Sequence, residues 1–165
     1  MKRFFTVFGA LVLLLCLLSG CGESTDNTIE VYVGENSFGY TVTGVTDNGD
    51  GTTTVTMDMI PMDIKDGDAA TNAITLMQIG SKFAILPYLV IDGARVDVEN
   101  DQANMGIGGT ESGRLKCVYT FTFQTEAAPD ELWLYPSGRS EETDWHYKID
   151  PETYTILQRA AIEDE

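Results

Sequence analysis

Residues 114–124 read Arg-Leu-Lys-Cys-Val-Tyr-Thr-Phe-Thr-Phe-Gln, and their alternation decides the fold. Leu115, Cys117, Tyr119, Phe121 and Phe123 fall on one side of an extended chain, with Arg114, Lys116, Thr120, Thr122 and Gln124 on the other. Successive side chains of a strand point to opposite faces, so this segment buries one face and wets the other, as strands of antiparallel sheets do.

The same period recurs on both sides of it. Ile29, Val31 and Val33 alternate with Glu30 and Tyr32, and Val55, Met57 and Met59 alternate with Thr54, Thr56 and Asp58. Residues 131–135 and 144–149 read as two more strands, the second placing Trp145, Tyr147 and Ile149 inward. Between strands the turn chemistry is explicit. Asp92-Gly93 separates Leu89-Val90-Ile91 from Ala94-Arg95-Val96, a hairpin signal because a type I′ turn needs positive φ at both central residues. Asn48-Gly49 and Asp50-Gly51 mark another reversal, and Pro136-Ser137-Gly138 a third.

Residues 68–79 break the pattern. Ala69, Ala73, Leu76 and Met77 recur at helical spacing, with Asp68 as N-cap and Gly80 as stop, although 74–79 also reads as a strand. Residues 100–113, rich in glycine and polar side chains, read as a loop. Many short strands, regular turns and no βαβ alternation predict an all-β, two-sheet antiparallel sandwich with one short helix near 68–79.

The first 20 residues stand apart. Lys2 and Arg3 precede an apolar run of 15 residues, Phe4 to Leu18, and small residues close it. This is the pattern of a secretory signal, and the run falls short of the ~20 residues that span a bilayer. The closing Leu18-Ser19-Gly20-Cys21 resembles the lipobox of bacterial lipoproteins. That resemblance implies cleavage before Cys21, a diacylglycerol on its thiol, and a cell-membrane location facing outside the cytoplasm. Each buried methylene contributes about 0.8 kcal/mol, so two or more acyl chains anchor a protein durably. The expected organisation is a signal peptide at 1–20, a polar tether at 21–28, a sandwich domain at 29–157 and an acidic tail at 158–165.

Without its signal the chain keeps 145 residues, eight of them basic and 26 acidic, for a formal charge of −18. Such a body repels nucleic acid and anionic headgroups, so no nucleic-acid partner is expected and the lipid does the membrane holding. Cys16 leaves with the signal and Cys21 takes lipid, which leaves Cys117 with no intramolecular disulfide partner.

A second resemblance concerns the body. Asp47-Asn48-Gly49-Asp50-Gly51, Gly113-Arg114-Leu115 with its strand to Phe123, and Pro129-Asp130-Glu131-Leu132-Trp133-Leu134-Tyr135-Pro136 are similar to stretches in immunoglobulin-like domains of small exported bacterial lipoproteins. The resemblance implies a fold and a location, and no chemistry.

No catalytic constellation emerges from the residues. There is no Gly-x-Ser-x-Gly elbow, His146 is the only histidine, and Cys117 lies on the apolar side of its strand. One histidine and one thiol are too few for a zinc site. His146, lying between Trp145 and Tyr147, is placed on the solvent face. Asp47, Asn48 and Asp50 supply the hard oxygens that calcium prefers, but a hairpin turn selects the same residues. Leu132 and Leu134 facing inward turn Trp133 and Tyr135 outward, and Tyr32 and Tyr88 fall on outer faces as well. Outward aromatics stack on sugar rings or anchor a protein, so Trp133 and Tyr135, with the 100–113 loop, are the expected ligand site. The sequence thus predicts a non-enzymatic binding module with an envelope protein or glycan as partner. The alternative is an envelope hydrolase using acidic residues, assisted by calcium.

Overall fold

The computed structural model describes residues 27–33, 35–63, 84–99, 102–109, 115–137 and 145–161. Cys21, the signal and the 68–79 segment lie outside the described residues. Among the described residues ten strands follow one another: β1 (Ile29–Val33), β2 (Asn36–Asp47), β3 (Thr52–Asp63), β4 (Ile85–Ile91), β5 (Ala94–Asp97), β6 (Ala103–Gly109), β7 (Leu115–Gln124), β8 (Glu131–Pro136), β9 (Trp145–Ile149) and β10 (Ile156–Ala161). They form two five-stranded antiparallel sheets packed face to face, ordered β1-β2-β3-β7-β6 and β10-β9-β8-β4-β5. The all-β sandwich is therefore as the alternation predicts.

Register explains the core. Thr53, Val55, Met57 and Met59 of β3 lie opposite Phe123, Phe121, Tyr119 and Cys117 of β7, and all eight are buried. Phe38, Tyr40 and Val42 extend this layer through β2, and Ile85, Leu89, Leu132, Leu134 and Ile149 meet it from the second sheet. Burying an aliphatic or aromatic side chain contributes about 1.5–3 kcal/mol, so this interlayer is the main source of stability in a body without a bridge. The Thr53 and Thr125 hydroxyls, buried at 2.9 Å from each other, pin the chain leaving β7 to the start of β3.

The hairpin chemistry holds in detail. Asp92 and Gly93 have φ of 51° and 75°, the positive pair that a type I′ turn requires between β4 and β5. Asp130 Oδ2 accepts the Asp92 N–H at 2.7 Å, tying the turn to the entry of β8.

Three readings change. Residues 103–109, expected within a loop, are strand β6 and pair with β7 from Ala103↔Phe121 to Gly109↔Leu115. Its glycines carry no side chain to alternate, so the period was invisible there. Trp145, Tyr147 and Ile149 do share the core-facing side of β9, but only Ile149 is buried, and Trp145 is 37% exposed. Alternation assigns a face and not a depth, and Trp145 sits at the strand's end. Finally, β10 runs to Ala161, beyond the expected sandwich boundary at 157, because its backbone pairs with β9 through Ala161↔Trp145.

Candidate functional site

The outer face of the second sheet gathers the expected site residues. Leu132 and Leu134 of β8 point into the core, so Trp133 and Tyr135 emerge on the opposite face. Backbone register then sets Tyr88 of β4 beside Trp133 on one flank and Lys148 of β9 on the other. Tyr88 also lies opposite Asp97 of β5, and Val90 opposite Arg95.

The rings form one cluster. Tyr88 and Trp133 are parallel to within 2° with centroids 6.2 Å apart, an offset stack of the kind aromatic quadrupoles favour. Tyr135 tilts against Tyr88 at 5.9 Å, and His146 meets Tyr88 edge-on at 5.7 Å. His146 also stands 6.4 Å from Trp133 and 5.9 Å from Tyr135. The Tyr88 hydroxyl lies 3.2 Å from His146 Nδ1. Packed among these groups, Tyr88 is only 8% exposed although it belongs to the outer face.

Cations frame the rings. The Arg95 guanidinium sits 4.1 Å from the Tyr88 centroid and 5.0 Å from that of Tyr135, and Asp97 orients it through Nε and Nη2. Lys148 Nζ lies 5.6 Å from the Trp133 centroid and pairs with Glu131, whose other oxygen accepts the indole N–H at 2.6 Å. Cation–π contacts of this sort contribute about 0.5–1 kcal/mol at exposed sites. Of the four Lys and Arg among the described residues (Arg95, Lys116, Lys148 and Arg159), two border this patch.

Protonation follows from these neighbours. The Lys148 hydrogen bond, reinforced by the Trp133 indole, holds the Glu131 carboxyl below its ordinary value. Burial lowers His146, and the Arg95 charge adds to it, so the imidazole stays neutral at pH 7. Burial raises the Tyr88 and Tyr135 phenols, with Arg95 opposing in both. The patch is therefore a neutral aromatic platform rimmed by two ion pairs, Arg95–Asp97 and Lys148–Glu131, on a strongly acidic protein.

The other expected positions lie elsewhere. Asp47, Asn48 and Asp50 shape the β2–β3 turn in the first sheet. Asp47 Oδ1 accepts the Gly49 N–H at 2.8 Å, and Asp50 Oδ1 accepts the Thr52 N–H at 3.1 Å and its hydroxyl at 2.6 Å. Asn48 Nδ2 donates to the Thr52 and Thr54 hydroxyls, both at 2.9 Å. These are the local side-chain bonds that stabilise turns. A shallow cleft of about 220 Å³ beside them is lined by Asp47, Gly49, Gly51, Thr125, Glu126 and Ala127. Among the described residues no group of three His, Cys, Asp or Glu is arranged to hold a metal ion. Cys117 is fully buried, and burial raises its thiol above the ordinary range, the opposite of what a nucleophile needs. Strand β6, part of the expected loop site, belongs to the first sheet and does not join Trp133 and Tyr135.

Sequence reasoning missed Arg95, Lys148 and Glu131; it set His146 on the outer face, where it lies, but not among the rings that half-bury it. The β8–β9 hairpin could have shown that Lys148 shares a face with Trp133. The insertion of β4 between β5 and β8 is non-local, and no short-range signal encodes it. Against known proteins, no family model, no curated protein and no solved structure matches the chain.

Proposed function

We propose that the protein is a lipid-anchored extracytoplasmic lipoprotein, held at the membrane through a diacylglycerol on Cys21, and that its sandwich is a non-catalytic binding module. Binding takes place on the outer face of the second sheet. The observation that carries this reading is the parallel Tyr88–Trp133 pair, flanked by Tyr135 and His146 and rimmed by Arg95 and Lys148. Trp133 and Tyr135, held on a rigid sheet against buried Tyr88, lose little entropy on binding, and their half-exposed rings are suited to the apolar faces of sugars. The rim pairs Arg95–Asp97 and Lys148–Glu131 offer donors and acceptors for the hydroxyl and amide groups of a glycan.

The chain holds two tryptophans, Trp133 and Trp145, so intrinsic fluorescence reports on the site. Titrating the full chain in detergent with soluble peptidoglycan fragments should change the emission of the wild type and of Trp145→Phe. The response should vanish in Trp133→Ala. An unaltered response in Trp133→Ala, or turnover of the fragments that a single Asp or Glu substitution abolishes, would replace the binding module with a hydrolase.

A further inference from the structure

We infer that strand β6 is a self-association edge, through which two copies of the chain join their first sheets. An edge strand offers unpaired N–H and C=O groups to another chain, and proteins usually blunt such edges with charge. Among the described residues four strands close the two sheets: β1, β6, β10 and β5. Strand β1 carries Glu30, β5 carries Arg95 and Asp97, and β10 carries Arg159. Strand β6, Ala-Asn-Met-Gly-Ile-Gly-Gly, carries no charge and no proline over seven residues. In a chain with 26 acidic and ten basic residues, a neutral strip of that length is where two like-charged bodies meet with least repulsion.

The side chains select a second copy as the occupant. Met105 and Ile107 lie opposite Tyr119 and Cys117, on the core side of the sheet, yet they are 37% and 51% exposed. Asn104, Gly106 and Gly108 form the other side. An antiparallel pair of β6 strands centred on Gly106 sets Met105 against Ile107 of the second copy and Ile107 against its Met105, while Asn104 faces Gly108. This register uses all seven residues and keeps apolar side chains on the core side of both sheets, the self-complementarity that an isologous twofold contact requires. Gly106 sits at the axis, and a Cβ built on it meets nothing within 4 Å, so a side chain fits there without displacing a neighbour.

The register supplies the test. Opposed residues of an antiparallel pair have Cα atoms about 4.5–5.5 Å apart, within the span of a disulfide. The full chain in detergent, as Gly106→Cys, should form a covalent dimer under mild oxidation. Asn104→Cys and the wild type, which carry the same native thiols, should not. Sedimentation should show a concentration-dependent dimer whose midpoint moves at least tenfold higher in Ile107→Lys, with the unfolding temperature held to within a few degrees. A wild type that is monomeric at all concentrations overturns the inference. So does equal cross-linking at 104 and 106, which would mean random collision, or a dimer that Ile107→Lys leaves intact, which would mean another surface or another segment of the chain on this edge.

Discussion

Two aromatic groups occupy this molecule, one between the sheets and one outside them, and they are built to different ends. The inner group, Phe38, Tyr40, Tyr119, Phe121 and Phe123, is fully sequestered. Tyr40 and Tyr119 stack at 6.2 Å, the Tyr119 hydroxyl donates to Met59 Sδ at 3.4 Å, and the Tyr40 hydroxyl lacks a partner in good hydrogen-bond geometry. Burial pushes both phenols far above the ordinary range. The outer group, Tyr88, Trp133, Tyr135 and His146, is bordered by Arg95, Lys148, Asp97 and Glu131, and Trp133 and Tyr135 remain half-buried. Rings whose polar tips are enclosed serve packing. Trp133 and Tyr135, half-buried on the outer face, remain available to a partner, whereas Tyr88 packs beneath Arg95 and supports them.

The sharpest way to break this comparison is to truncate one ring of each group. Phe121→Ala should cost about 3–5 kcal/mol of unfolding free energy, as phenylalanine deletions in cores do. Trp133→Ala should cost about 1–2 kcal/mol, for one stacking partner and partial burial. Urea denaturation measures both, and a Trp133→Ala loss equal to that of Phe121→Ala would make the outer group a second core.

Alkali should act next, and on the inner group. The folded state keeps Tyr40 and Tyr119 protonated while the unfolded chain ionises near 10, so the stability they contribute is present below pH 10 and lost as pH rises above it. Tyr119→Phe, which keeps the ring, should blunt the fall in unfolding temperature between pH 9 and 11 (about one unit either side of the ordinary phenol value). An unchanged alkaline limb would mean that the inner phenols do not titrate with unfolding.

Acid should act on the outer group. The folded His146 resists protonation, so below its ordinary value of 6.5 the unfolded state takes up the proton first and stability falls. Glu131 acts with the same sign at lower pH, because its folded value is depressed from 4.5 and its contribution disappears as pH drops through that lowered value. His146→Gln should flatten the slope just below pH 6.5 and leave the lower limb in place. Persistence of the full slope in that variant would exclude His146 as its origin.

The smallest effect belongs to the rim. Lys148→Met removes a partly exposed ion pair, and such pairs contribute about 0–1 kcal/mol, so stability should barely move. Affinity for the glycan should nevertheless drop, because a hydrogen-bond donor is lost beside the Trp133 ring. Unchanged affinity would remove Lys148 from the binding surface.

How much of this was legible depends on range. The alternation of residues 115–123 placed Cys117, Tyr119, Phe121 and Phe123 in the core, and Asp92-Gly93 marked its own hairpin, because both are local signals. Trp133 and Tyr135 were placed on the outer face for the same reason. Strand β6 escaped because Gly106, Gly108 and Gly109 interrupt any side-chain period, and only its ladder with β7 defines it. The grouping of Tyr88 and Arg95 with Trp133 and His146 escaped because it depends on β4, β8 and β9 becoming neighbours. Faces are written in the local sequence, whereas neighbours across a sheet come only from the assembled topology.

The most direct test of the account is co-sedimentation of the full chain with purified cell-wall sacculi, comparing wild type with Trp133→Ala at matched folded fraction. The account predicts at least a tenfold loss of retention in the variant, with its unfolding temperature lowered by only a few degrees. Retention equal to that of the wild type would contradict it and detach the outer aromatic face from the protein's work.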